Sequence, residues 1–234
     1  MKKIKLFCLP YAGGSAASYF RWRKTINPYI EIIPVELSGR GQRIGTPLYR
    51  NFEEALEDVY NQVISQINHD EEYIIFGHSM GSLIAFELGF ELLDHGYSKL
   101  MHMFFSGSKS PDLESEKNNY YNMPDSVFLE CLVSYGGMSD EILFDEQLMK
   151  FFLPILRSDF NVVETYKFRR SGRKLPCDIT VLSGEQDIHV KKSELVGWGK
   201  HTNERCCMYQ FKGGHFFVND NMNDVIDLVN RIIK

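Results

Sequence analysis

"EYIIFGHSMGSLIAFEL", residues 72–88, joins a β-branched and aromatic run to a helix-forming run through Gly77-His78-Ser79-Met80-Gly81. "YIIF" has the length and composition of a buried strand, and "SLIAFEL" starts a helix at once. A Gly-x-Ser-x-Gly turn between strand and helix can hold a serine as a nucleophile elbow. Gly77 and Gly81 fit that reading, because in so tight a turn a Cβ at either flank would run into neighbouring backbone. The Ser79 hydroxyl would then stand at the positive end of a helix, where its alkoxide and the oxyanion formed on attack are both favoured. With 18 glycines in 234 residues the pattern arises by chance in roughly one chain in ten. The rest of the chain must decide between a nucleophile and a small-residue turn.

Outward from the turn, short apolar runs alternate with segments of helical period. "IKLFCLP" (4–10), "IEIIPVEL" (30–37), "EYIIFGH" (72–78), "LMHMFFSG" (100–107), "CDITVLSG" (177–184) and "CCMYQFKG" (206–213) read as strands covered on both faces. Between them "NFEEALEDVYNQVISQI" repeats apolar residues every three or four positions, "SLIAFELGFELLDHG" follows the Ser turn, and "NDVIDLVNRIIK" ends the chain. This alternation predicts one α/β domain over 1–234 with a mostly parallel, doubly wound sheet. It lapses from 108 to 172, where "DSVFLECLVSYGG" and "DEQLMKFFLPILRSDFNVVETY" are helical and Pro154 marks a kink or junction. A helical insertion of that size between two core strands behaves as a lid.

A serine hydroxyl is a weak nucleophile at neutral pH and needs a histidine, which in turn needs an acid to orient it. Folds built on this elbow supply them in the order Ser, acid, His, each after a later strand. Asp187 follows "ITVLSG" and His215 follows "CMYQF", both on loops leaving the carboxyl edge of the sheet, as Ser79 does. Glu185 is the nearest rival acid. His189 is the nearest rival base, although it shares the loop of Asp187 and leaves no separate orienting group. His78 should point away from Ser79, and it, His69, His95, His102 and His201 read as structural. The loop after the first strand, "LPYAGGSAASYF", has small residues that let backbone N–H groups reach a ligand. Met80 N–H and Ala12 N–H, or Tyr11 beside it, are the candidate oxyanion donors. The loop lacks a Gly-Lys-Ser/Thr ending and the spaced glycines of dinucleotide folds.

Composition narrows the remaining classes. A hydrophobic share of 44% and a charged share of 24% describe a globular domain with no disordered tract. The net charge of −5 with scattered basic residues argues against nucleic acid. No His/Cys cluster has metal spacing, so neither metal nor cofactor is expected. Cys8, Cys131, Cys177, Cys206 and Cys207 are odd in number and unpaired in spacing, which suggests buried thiols of a reducing compartment. "KKIKLFCLP" is too short for a signal sequence or a membrane span, and a cytoplasmic protein is expected. The cap aromatics Phe144, Phe151, Phe152, Phe160 and Tyr166 fit either an acyl pocket or plain core.

Taken in order, "LFCLPYAGGSAASYF", "GRGQR", "IIFGHSMGSLIAFEL", "FFLPILRSDF", "SGEQD" and "FKGGHFF" resemble the type II editing thioesterases of nonribosomal peptide and polyketide synthesis, a branch of the α/β hydrolases, over the whole chain. The resemblance implies hydrolysis of an unwanted acyl or aminoacyl group from the phosphopantetheine thiol of an acyl or peptidyl carrier protein. It also implies Ser79, Asp187 and His215 as the triad, Met80 and Ala12 as oxyanion donors, a mobile lid, and no cofactor beyond the partner's own arm. A monomer without membrane association is expected. Ser38 stands where the family often has Pro, and Ser82 where it often has Gly or Ala, so Ser82 should alter the pocket floor. The same triad could instead serve an esterase or lipase of small or medium-chain esters, and a catalytically idle synthase partner is a third reading.

Overall fold

The computed structural model describes residues 3–113, 118–137 and 145–233. Strands β1 (Ile4–Leu9), β2 (Ile30–Pro34), β3 (Tyr73–His78), β4 (Leu100–Ser106), β5 (Asp178–Gly184) and β6 (Cys206–Phe211) form one sheet. Its order is β2-β1-β3-β4-β5-β6, and every pairing is parallel. Side chains alternate across the sheet, so a strand buried on both faces must be apolar throughout. β3 is buried at all six positions. Phe7, Leu9, Tyr73, Ile75, Met103 and Phe105 point to one core with helices α1 (Phe52–Ile64) and α2 (Met80–Asp94). Leu6, Cys8, Ile74, Phe76 and Phe104 point to the other, closed by Trp22 and the C-terminal helix Met222–Ile232. The helical face of α1 follows from Phe52, Ala55, Val59 and Val63, and Asn51 Oδ1 caps it by accepting the Glu54 N–H at 2.9 Å.

β6 departs from the expectation of strands covered on both faces: Cys207, Met208, Tyr209 and Gln210 are exposed because β6 is the sheet edge and pairs only with β5. The thiols also differ from expectation. Cys8 and Cys177 are buried, Cys131 and Cys206 are partly buried and Cys207 is exposed, all unpaired. Burial pushes the Cys177 thiol up to about 12, which leaves it an inert apolar side chain.

Between β4 and β5 lie helices α3 (Asp125–Tyr135) and α4 (Glu146–Thr165). They share a small core of Phe128, Leu132 and Leu156, with Phe152 and Phe160 against it. Pro154 is no junction, since α4 runs through it as one helix. The N–H it lacks would have met the Lys150 carbonyl, which belongs to an exposed residue and can turn to water. The second half of α4 is fastened to the body: Ser158 Oγ donates to Tyr49 O at 2.8 Å, Asn161 Nδ2 donates to Arg50 O at 2.6 Å, and Thr165 Oγ1 accepts the Phe52 N–H at 2.9 Å.

Candidate active site

Strand order reverses on either side of β1, which pairs with β2 on one side and β3 on the other, and Leu9 lies beside Gly77. Loops leaving β1 and β3 therefore part from adjacent strand ends, the crevice where open parallel sheets bind ligands. Ser79 occupies this crevice with φ 54° and ψ −117°, a conformation a non-glycine residue holds only when its surroundings enforce it. The enforcement is visible. A Cβ on Gly77 would sit 2.1 Å from Gly81 O, and one on Gly81 would sit 2.3 Å from Leu9 O. Ser106 at the end of β4 braces the turn from below: its carbonyl accepts the Ser79 N–H at 2.7 Å.

Ser79 stands at the N-cap of α2 without capping it. Its Oγ lies instead 2.9 Å from His215 Nε2, and His215 Nδ1 lies 2.8 Å from Asp187 Oδ2. Asp187 and His215 are 9% and 5% exposed. The other carboxylate oxygen of Asp187 accepts the His189 N–H at 2.9 Å. Burial pushes the Asp187 carboxyl up, but its bonds to the His215 ring and the His189 N–H outweigh burial and hold it below its ordinary value. An ionised Asp187 keeps the proton of His215 on Nδ1, which leaves Nε2 free to take the proton of Ser79. Gly184 makes the approach feasible, since a Cβ there would sit 2.2 Å from Gly214 O in the loop that carries His215.

The structure thus brings Ser79, Asp187 and His215 into one hydrogen-bonded line. Glu185 is exposed and makes no bond to His215. His189 turns away: its ring stacks on Tyr135 at 3.6 Å and 8°, and its Nε2 lies 3.0 Å from Ser134 O. Met80, Ala12 and Tyr11 line the same cavity as Ser79. Among the described residues, neither the Met80 nor the Ala12 N–H has a protein acceptor, so both remain available to a ligand.

Three further groups surround this line, of which only Tyr135 goes unmarked in the sequence. His78 is fully buried, with Nδ1 2.8 Å from Ser106 Oγ and its ring 5.4 Å from that of His215. Burial first, then the nearby His215, holds it well below its ordinary value, so it stays neutral beneath the site. Ser82 does not line the cavity. Its Oγ lies 2.8 Å from Gly77 O and 2.9 Å from Ser106 O and accepts the Ser106 N–H at 3.0 Å, which makes it a rivet between elbow and β4 rather than part of a pocket floor. Tyr135 at the end of α3 places its ring 5.1 Å from that of His215.

The cavity measures about 620 Å³, a size that takes a small organic ligand. Leu83, Leu132, Phe152, Leu156, Phe160 and Tyr166 give it an apolar wall, and Glu164 supplies a carboxylate. Phe151 is instead 43% exposed, and Phe144 lies outside the described residues. Among the described residues no group of His, Cys, Asp and Glu could hold a metal, and no helix is long and apolar enough to cross a membrane.

Comparisons with known proteins agree with this geometry. Residues 4–233 match the thioesterase domain family. The gramicidin S biosynthesis protein GrsT of Aneurinibacillus migulanus is 31% identical over 97% of this chain and 88% of its own length. The thioesterase PikA5 of Streptomyces venezuelae is 32% identical over 95% of this chain and 78% of its own. Among solved structures, ClbQ from the colibactin NRPS/PKS pathway superposes with a TM-score of 0.93 at 37% identity, over 99% of this chain and 97% of that one.

Proposed function

This chain belongs to the thioesterase domain family, is a thioesterase of the α/β-hydrolase fold, and on that premise we propose that it clears acyl or aminoacyl groups from the phosphopantetheine thiol of carrier proteins in nonribosomal peptide or polyketide synthesis. The observation that carries the mechanism is the line Asp187, His215, Ser79, with separations of 2.8 and 2.9 Å, at a cavity roofed by α3 and α4. ClbQ belongs by name to an NRPS/PKS pathway and GrsT to gramicidin S biosynthesis, which supports the substrate class.

Ser79 Oγ attacks the thioester carbonyl while His215 Nε2 takes its proton. The carbonyl oxygen becomes an oxyanion, and the N–H groups of Met80 and Ala12 donate to it. The tetrahedral adduct collapses, the C–S bond breaks, and the departing sulfur receives the proton from His215. A water then attacks the acyl-Ser79 ester with His215 again as base, and Ser79 Oγ leaves with that proton. Asp187 stays ionised throughout and stabilises the imidazolium. The helices α3 and α4, within a lid spanning 108–172, gate entry of the pantetheine arm, and the Tyr135 ring packs edge-on against His215.

The test uses a holo carrier protein loaded with acetyl or aminoacyl thioester, with release of the free thiol as readout. Wild type releases it, and Ser79→Ala falls by at least about 10³-fold. Full activity in Ser79→Ala would sink the mechanism. Hydrolysis of simple nitrophenyl esters with no preference for the carrier-bound thioester would favour a small-ester esterase with the same three residues.

A further inference from the structure

Two stretches noted in the sequence, "GRGQR" and "RSDF", found no role in the chemistry above. They meet in a buried ion pair. Arg40 Nη1 and Nη2 donate to Asp159 Oδ2 and Oδ1 at 2.6 and 2.7 Å, with side chains 5% and 0% exposed. Asp159 Oδ2 also accepts the Gly13 N–H at 2.7 Å, and Arg40 Nη1 donates to Gly14 O at 3.0 Å. Arg40 Nε donates in turn to Ser38 O at 3.2 Å. One charge pair thus grips both sides of the loop that carries Ala12.

The grip falls where the loop is least able to hold itself. Gly13 has φ +76°, and the loop's own backbone supplies one short turn, Gly14 N–H to Tyr11 O at 2.9 Å. A carboxylate on the Gly13 N–H fixes the peptide that joins Ala12 to Gly13, and a guanidinium on the Gly14 carbonyl fixes the peptide that joins Gly14 to Ser15, both by charge-assisted bonds. The peptide between those two donates the Gly14 N–H to Tyr11 O at 2.9 Å, and that carbonyl shares its peptide with the Ala12 N–H, so holding both sides of the turn orients the donor. A buried ion pair is weak evidence for stability, since burial of both charges costs about what their attraction returns. Its persistence here, on loop rather than on core, is better explained by orientation.

We propose that Arg40 and Asp159 are positioning residues that hold the first-loop oxyanion donor in register with Ser79. Neither touches the reacting atoms. The inference rests on the thioesterase mechanism proposed above. Because Asp159 sits in the half of α4 that is fastened to the body, the donor's position is set independently of any movement of α3.

The test compares two double variants that share the loss of the guanidinium, so that neither leaves a lone buried charge. Arg40→Met with Asp159→Asn keeps an amide oxygen able to accept the Gly13 N–H, whereas Arg40→Met with Asp159→Leu does not. Thermal melting of both checks folding, and their shared change makes a general loss of stability cancel in the comparison. The Asn form, which loses the Arg40 grip on Gly14 O but keeps an acceptor for the Gly13 N–H, should lose about three- to fivefold in kcat. The Leu form should lose about 10- to 100-fold in kcat with KM within twofold, the range expected when an oxyanion donor is misplaced but not deleted. Affinity for an alkyl boronic acid, which forms a tetrahedral adduct on Ser79, should fall by the same factor in the Leu form. Equal kcat and equal boronate affinity in the two forms would overturn the inference, as would a change confined to KM. Wild type and Ser79→Ala run beside them: if Ser79 proves dispensable, the underlying mechanism has failed, and if Ser79 is essential while the two forms agree, only this inference has.

Discussion

Replacing Gly81 by Ala tests whether the elbow's geometry, rather than the mere presence of its residues, makes the site work. The added Cβ would lie 2.3 Å from Leu9 O, 2.8 Å from Leu9 C and 2.8 Å from Pro10 O. All three are backbone atoms, so no side chain can swing aside. To reach the shortest approach a real Cβ makes, 3.0 Å, the turn and β1 must part by about 0.7 Å, and a relaxed contact needs about 1 Å. That displacement acts between Ser79 and the loop after β1, which carries the Ala12 N–H, and it also strains the 2.9 Å contact of Ser79 with His215. A misplacement near 1 Å costs about 100-fold in rate, and overpacking costs about 1–3 kcal/mol in stability. The expected result is a kcat on carrier-bound thioester about 100-fold below wild type in a protein that still melts cooperatively. Gly199→Ala is the control, because its added Cβ would find only Cys206 Cβ at 4.0 Å, and it should be close to neutral. A Gly81→Ala enzyme with kcat within threefold of wild type would refute the reasoning, for it would mean the turn relaxes without moving the nucleophile.

Other expectations concern the groups around the site. Ser82→Ala leaves the buried Ser106 N–H without the acceptor it has at 3.0 Å, which should cost about 1–3 kcal/mol, read as a shifted urea midpoint at constant slope; an unchanged midpoint would show that the rivet carries no stability. His102 is held down to about 4 by burial above all, with Arg205 adding to this and Asp178 opposing it, and its Nε2 lies 2.9 Å from Thr180 Oγ1. Its native form resists a proton that the unfolded chain accepts near 6.5, so its contribution is intact above that pH and drains away as pH falls from 6.5 towards 4. The loss amounts to about 3 kcal/mol, and His102→Gln should flatten the stability curve across that window; an unchanged slope would count against it. His189→Ala removes the ring stacked on Tyr135 and its contact with Ser134 O, interactions worth together about 1–2 kcal/mol. Amide hydrogen exchange along α3 should then quicken roughly tenfold, and exchange rates matching wild type would mean that His189 does not help hold the helix down.

The amino-acid sequence by itself determined the elements and the order in which the residues of the candidate site follow one another. All six strands, the helices flanking the elbow, and the succession Ser79, Asp187, His215 could be read because continuous apolar runs, period-3.6 patterns and turn residues are local signals. The glycines beside Ser79 belong to the same class, since the backbone conformation they permit is written within five residues. The exposure of β6 was misread because an edge strand and an inner strand share one composition, and only the pairing tells them apart. Tertiary structure alone decided the rest. It set the loop after β1 beside the elbow by making β1 and β3 neighbours, turned Ser82 into a brace on β4, stacked His189 on α3, and joined Arg40 to Asp159 across 119 residues of chain. Such contacts leave no periodicity behind, because a buried charge needs its partner in space and is indifferent to how far along the chain that partner lies.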